Sequence, residues 1–304
     1  MPQDPDITDE FRDRTMSRAD LDIYVENRAL HLSDESYAVA RIRERLEADG
    51  YVCRTLDRFD PADTGRVAYL HHDLTDTPAW AREIHRHYPV AINGKVASID
   101  RRQYSKVILE RSDDYDGPVV VKAILNARGV PELRYAEHRN VATWLFSRFR
   151  RWADPKYEMK KCPHYRIFPH KDRIPGRIWK DPARMVEKFI PGTLDLPIIK
   201  HRTSFFLDMA YTNRQTFNSH FSYANTALKL ERLEGMPEPV MQVRKALHLD
   251  VGTIDFFEKD GEYFVIDANK TTQMRTEWLE EHPDIAAFHD RIYARMVELI
   301  RDAG

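Results

Sequence analysis

"VGTIDFFEKDGEYFVIDANKTTQ", residues 251–273, is the stretch on which the reading of this chain turns. Two runs of alternating aromatic and aliphatic residues flank Lys259-Asp260-Gly261, the pattern of two antiparallel strands joined by a tight turn. Asp255 interrupts the first run, and Asp267 and Asn269 close the second. The turn decides where these polar groups point. With a three-residue loop, Lys259-Asp260-Gly261, Glu258 pairs with Glu262 and Asp255 with Val265. Asp255 and Asp267 are then diagonal neighbours on one face, about 7–8 Å apart at Cα, and Asn269 continues that face. A two-residue Asp-Gly loop shifts the register by one and sends the carboxylates to opposite sides. The functional reading therefore rests on which of the two turns forms.

Two carboxylates side by side on an aromatic ribbon repel each other, and their desolvation costs several kcal/mol unless a cation compensates. A divalent metal is one compensation: two Asp and an Asn offer only oxygen, which suits Mg2+ or Mn2+. The other is a half-exposed sheet whose acids pair with Lys or Arg. The hairpin alone leaves both open.

Upstream, "GPVVVKAIL" (117–125) is a strand apolar enough to be buried, and Lys122 at its inner end needs an anion. The following "LNARGV" offers backbone N–H groups to a phosphate. Glu187, Lys188 and Phe189 sit in "VEKFIPG", a strand that exits through Pro191-Gly192. Lys106 falls on an expected helix, "RRQYSKVILERS". Each has a plainer reading: a snorkelling strand-end lysine, an edge-strand acid, a solvated helical lysine.

The first hundred residues alternate strands ("LDIYVEN", "YVCRTLD", "RVAYLHHDL", "PVAIN") with helices: one after Ser33 with apolar Val39, Ile42 and Leu46 and a stop at Gly50, and one over "PAWAREIHRHY". That order implies a small, mainly parallel α/β lobe. Later come a helix over "RYAEHRNVATWLFSRFRRWA", an irregular stretch over 152–182, an antiparallel pair "RTSFFLDMAYT" and "RQTFNSHFSY", a helix over "EPVMQVRKALHL" and a closing amphipathic helix from Pro283.

At 304 residues and 42% hydrophobic, the chain can bury a large core. A net charge of -2 gives no global field for nucleic acid or an anionic membrane. Cys53 and Cys162 match neither a disulfide framework nor a zinc spacing, which points to the reducing cytoplasm. No apolar run is long enough to span a membrane, and the N-terminus is not a signal sequence. His71-His72, His164 and His170 have no ligand spacing and read as structural or surface groups. Residues 144–173 carry nine Lys/Arg against three acids with aromatics between them. That composition fits a solvated basic face, and a polyanion or single-stranded nucleic acid less well.

Read in order, "PVAINGKVASIDRRQYSK", "GPVVVKAILNARG", "VEKFIPG" and "LDVGTIDFFEKDGEYFVIDANKT" resemble the motifs of the ATP-grasp superfamily, over residues 89–271. The resemblance implies a mixed α/β and α+β fold: a polar tail over 1–20, a pre-ATP-grasp lobe over 21–100, and an ATP-grasp domain over 101–304. That domain would divide into subdomains of about 101–186 and 187–304, with ATP between them. It implies that Lys106 and Lys122 contact ATP phosphates, and that Glu187, Lys188 and the backbone around Phe189 read the adenine. Asp195 would hold the ribose, and Asp255, Asp267 and Asn269 would hold Mg2+ or Mn2+. Departures from the family pattern are Asp267, where many members carry Glu, and the glycine-poor "NARG".

The implied activity is phosphorylation of a small-molecule carboxylate by ATP and attack on the acyl phosphate by an amine. Arg202, Arg214 and Arg275 are the candidates to clamp the acceptor carboxylate. A kinase on the same fold and a non-catalytic nucleotide-binding module are the alternatives. A homodimer is among the expected assemblies; nucleic acid and membrane are not expected partners.

Overall fold

A computed structural model describes residues 18–26, 37–129, 131–132, 135, 166–191, 195–219, 227–273 and 276–304. The chain divides into two compact units, one of Met1–Leu70, Ala79–Gly94 and Met274–Gly304, the other of His71–Pro78 and Lys95–Gln273. The sequence division near residue 100 is thus not the one the contacts draw. Residues 274–304 join the first unit because the helix Pro283–Asp302 packs on the helix Ala38–Ala48. Arg45 there bonds Asp290 at 2.8 Å and lies 4.1 Å over the Tyr293 ring.

In the first unit, strands β1 (Leu21–Tyr24), β2 (Cys53–Leu56), β3 (Val67–Leu70) and β4 (Val90–Ile92) form a parallel sheet in the order β2-β1-β3-β4. Ala38–Ala48 buries Val39, Ile42 and Leu46, the stripe its 3.6-residue period creates, and the chain leaves it through Gly50 at φ +90. The helix expected over "PAWAREIHRHY" is instead two 3-10 turns, Ala79–Ala81 and Ile84–Arg86. The turns bury Ala81 and Ile84, and Tyr88 just after them joins the same cluster.

The second unit holds two antiparallel sheets. One contains β5 (Ile108–Leu109), β6 (Val119–Ala123), β7 (Arg166–Phe168) and β8 (Arg184–Lys188) in the order β5-β8-β6-β7. The other contains β9 (Ile198–Phe206), β10 (Met209–Phe217), β11 (Lys229–Glu234), β12 (Val251–Lys259) and β13 (Glu262–Asn269) in the order β11-β10-β9-β12-β13. The outer face of the second sheet packs Phe205, Ile254, Phe256, Val265 and Ala268 against Val240 and Leu247 of the helix Glu238–Ala246 and its C-terminal turn. Val120, Phe189 and Ile198, with Ile167 and Phe257, join the inner faces of the two sheets.

Two further expectations give way to tertiary pairing. "RRQYSKVILERS" is a 3-10 turn, Arg101–Gln103, capped by the Asp100 side chain, followed by β5, whose Ile108 pairs with Glu187. β-Branched Val107 and Ile108 gain more from that neighbour than from a helix. The β9–β10 hairpin turns at Leu207–Asp208 rather than near residue 213, with Leu207 at φ +51 and no glycine to announce it. Ser33, residues 136–165 and Arg275 lie outside the described residues. No helix among the described residues is long and apolar enough to cross a membrane.

Candidate functional site

In β6 the side chains of Val119 and Val121 point to a core with Val186, Ile174 and Ile178, so Val120 and Lys122 take the opposite, inner face. Glu187 pairs with Val120 across β8 and shares that face. Lys122 Nζ lies 2.6 Å from Glu187 Oε2, with the two side chains 7% and 0% exposed. Ser105 Oγ donates to Glu187 Oε1 at 2.6 Å. Neither charge is stable at that depth alone, so the strand-end lysine and the acid of "VEKF" require each other.

The turn between β12 and β13 is the two-residue Asp260-Gly261, with φ of +54 and +78, and Lys259 pairs with Glu262. Of the two possible loops this is the one that by itself would separate the two carboxylates. A bulge reverses that outcome. Phe256 pairs with Val265 but Asp255 pairs with Asp267, leaving Ile266 as the extra residue. Thr253, Asp255, Asp267 and Asn269 therefore share the inner face, and the two Asp are directly opposite rather than diagonal. The Ile266 carbonyl accepts from Lys122 Nζ at 3.4 Å, linking the bulge to the first sheet.

Cations lie against these acids. Asp255 Oδ2 accepts from Lys200 Nζ at 2.9 Å and Arg202 Nη2 at 2.8 Å, and Oδ1 from Arg202 Nε at 2.6 Å. Asp267 Oδ1 accepts from Arg101 Nη2 at 2.6 Å, while Arg101 Nη1 donates to the Ala123 carbonyl at 3.0 Å. Burial pushes the Asp255 carboxyl up, but Arg202 and Lys200 outweigh it and hold the group well below the usual carboxylate range. Burial lowers the Lys200 ammonium, with Asp255 opposing the shift.

The donor set fits a hard divalent ion in part. Among the described residues no group of three His, Cys, Asp or Glu is placed to hold a metal. Asp267 and Asn269, two positions apart on one face, supply oxygen donors, and Asp267 Oδ2 accepts a long 3.4 Å contact from Asn269 Nδ2. Asp255 would join them only by giving up bonds from Lys200 or Arg202.

Of the other expected residues, Lys106 is exposed and follows the Arg101–Gln103 turn rather than lying on a helix. Lys188 Nζ lies 5.3 Å over the Tyr115 ring. Phe189 is buried and its N–H donates to the Pro118 carbonyl at 2.9 Å. Asp195 is exposed. Asn213 pairs with Arg202, so Arg214 projects from the opposite face of the sheet, where it bonds Glu231 at 2.9 Å. The sheet thus separates Arg214 from Arg202 and the acids. Sequence reasoning missed Lys200, Arg101 and Ser105. Lys200 was findable, two residues before Arg202 on one strand; Arg101 was hidden by the helical reading, and nothing marked Ser105.

No family model matches the sequence, and comparison with curated proteins gives no match. Solved structures do match. D-alanine–D-alanine ligase from Bacillus anthracis is 12% identical with a TM-score of 0.50, over 94% of this chain and 97% of that one. The ATP-grasp ligase PsnB, solved with a phosphomimetic variant of its minimal precursor, Mg and ADP, is 12% identical with a TM-score of 0.50, over 93% and 99%. At such identities the likeness is one of fold.

Proposed function

Because the chain has the ATP-grasp fold, we propose that it is a cytoplasmic ATP-dependent ligase that joins a small-molecule carboxylate to an amine. The observation that carries this reading is the bulge at Ile266, which brings Asp267 and Asn269 onto the face of Asp255, Lys200 and Arg202, within reach of Lys122. A strand pair that only needed to pack would keep its alternation.

In this reading Lys122, Lys106 and Arg101 hold phosphate oxygens, and Glu187 turns from Lys122 to the adenine amino group. The Phe189 N–H is committed to Pro118, so the hinge backbone would read the adenine through a carbonyl there or through neighbouring amides. Lys188 stays at the hinge and Asp195 meets the ribose. Arg202 offers its remaining N–H groups to the acceptor carboxylate. A carboxylate oxygen attacks the γ-phosphorus as the bond to ADP breaks; the amine nitrogen then attacks the acyl carbon, expelling phosphate and losing a proton. Mg2+ or Mn2+ on Asp267 and Asn269, and on Asp255 once Lys200 turns to phosphate, would supply neutralisation of the charge on the transferred group.

The test is ADP formation from Mg-ATP across a panel of carboxylates and amines. ADP and free phosphate in equal amounts, dependent on the amine, support the ligase; phosphate retained on product supports the kinase. Asp267→Asn is expected to lower turnover by at least about a hundredfold, the scale of losing a charge-stabilising group. A wild-type rate in that variant removes the hairpin from the mechanism.

A further inference from the structure

The loop Asn126–Gly129 carries a single glycine, yet Ala127 stands at φ +40 and Gly129 at φ +81. A left-handed alanine costs about 1–2 kcal/mol, so hydrogen bonds must hold it. Asn126 does so locally: its Oδ1 accepts from the Ala127 N–H at 2.9 Å. It is itself suspended from the distant segment His71–Pro78. The Asn126 N–H donates to Thr75 Oγ1 at 2.7 Å, and Asn126 Nδ2 donates to the Asp73 carbonyl at 2.8 Å.

Thr75 is anchored on every side. It is 2% exposed, its N–H and hydroxyl both donate to Glu132 Oε1 at 2.8 and 2.7 Å, and its carbonyl accepts from the Ile99 N–H at 3.0 Å. The same segment grips the end of the acidic hairpin. Lys270 Nζ lies 3.5 Å from the Thr75 carbonyl and 3.4 Å from Thr77 Oγ1, and Thr271 Oγ1 donates to Asp73 Oδ1. One eight-residue strap thus fixes both the loop after β6 and the residues that follow Asn269.

We propose that Thr75 is a positioning residue for nucleotide binding, its hydroxyl setting the Asn126–Gly129 turn for phosphate in place of the glycines that the loop lacks. The inference rests on the proposed ATP site and adds the part that aligns it. Thr75 touches no reacting atom; it acts through Asn126.

Thr75→Val keeps the shape and removes the hydroxyl, and Thr75→Ser restores it. Mg-ADP binding by calorimetry needs no turnover. Thr75→Val, which loses the bond to the Asn126 N–H as well as the one to Glu132, should bind about tenfold more weakly, the upper end for the loss of the loop's one bond to this hydroxyl, and Thr75→Ser should bind within about twofold of wild type on the same scale. Amide exchange over 126–129 should quicken in Thr75→Val only. A merely structural role would lower the unfolding midpoint without changing the affinity of the folded protein. If Thr75→Val does not fold, Asn126→Ala, which cuts the bonds to Asp73 and from Ala127, should weaken Mg-ADP in the same direction. Unchanged affinity and exchange in the folded variant overturn the proposal while leaving the ATP site standing. A wild-type protein that binds no Mg-ADP overturns both.

Discussion

Replacing Lys200 by Met and Asp255 by Asn, singly and together, tests whether the inner face of the second sheet is held by its ion pairs. Lys200 and Asp255 side chains are 3% and 6% exposed and 2.9 Å apart. Breaking a buried pair by removing one partner costs about 3–5 kcal/mol. Lys200→Met belongs at the low end, near 3 kcal/mol, because Asp255 keeps both bonds from Arg202. Asp255→Asn belongs at the high end, since it leaves two cations facing each other. The double variant should cost less than the sum by about 2 kcal/mol, the coupling expected of directly bonded groups.

Urea denaturation at neutral pH reads all four proteins. The pH dependence adds a second signature. Asp255 has a depressed folded pKa, so its contribution is complete above the unfolded value near 3.9 and is lost as pH falls through the folded one. In Asp255→Asn the buried Lys200, already lowered by burial, loses the group opposing that shift. Between its folded pKa and the unfolded value near 10.4, the unfolded chain holds the extra proton, so this variant should gain stability from pH 7 to 9 more steeply than wild type. Coupling below about 0.5 kcal/mol, the noise of additivity, together with a flat pH profile, would refute the reasoning.

Gly252→Ala should cost about 3 kcal/mol, because a Cβ there meets the Asn269 carbonyl oxygen at 2.1 Å; thermal unfolding measures it, and turnover should fall further as Asn269 is displaced. In the first unit burial, followed by Arg41, pushes His289 down to about 4. The unfolded chain therefore binds the extra proton between about 4 and 6.5, and stability is lost as pH falls through that window, by about 2 kcal/mol after allowance for solvent screening. His289→Gln should flatten that slope in urea midpoints taken at pH 4.5 and 7.

The parts of the site that were legible rest on local pattern. Lys122 stands out because an all-Val run predicts a buried strand, and a lysine there demands the anion that Glu187 provides. Asp255, Asp267 and Asn269 stand out because they break an alternating ribbon. Their shared face was expected for the wrong reason. The turn has two residues, and the bulge at Ile266 makes up the missing step. Arg101 was not legible, because its role depends on a turn that brings it to both Ala123 and Asp267.

By itself the sequence determined most of the strands, though not β5, β7 or β11, that the first lobe is parallel, and which acids and lysines lie on strands too apolar to leave them unpaired, since alternation and burial act between near neighbours. Tertiary structure alone decided the partners: the register past Ile266, the face of Arg214, and the hold of Thr75 on a loop 51 residues away. Ile266 is an ordinary β-former with no glycine beside it to mark a bulge. Its extra residue is accepted because the alternative register would bury Asp267 and Asn269 in an apolar core and strip Asp255 of its neighbour, a cost that exists only once the sheets have met.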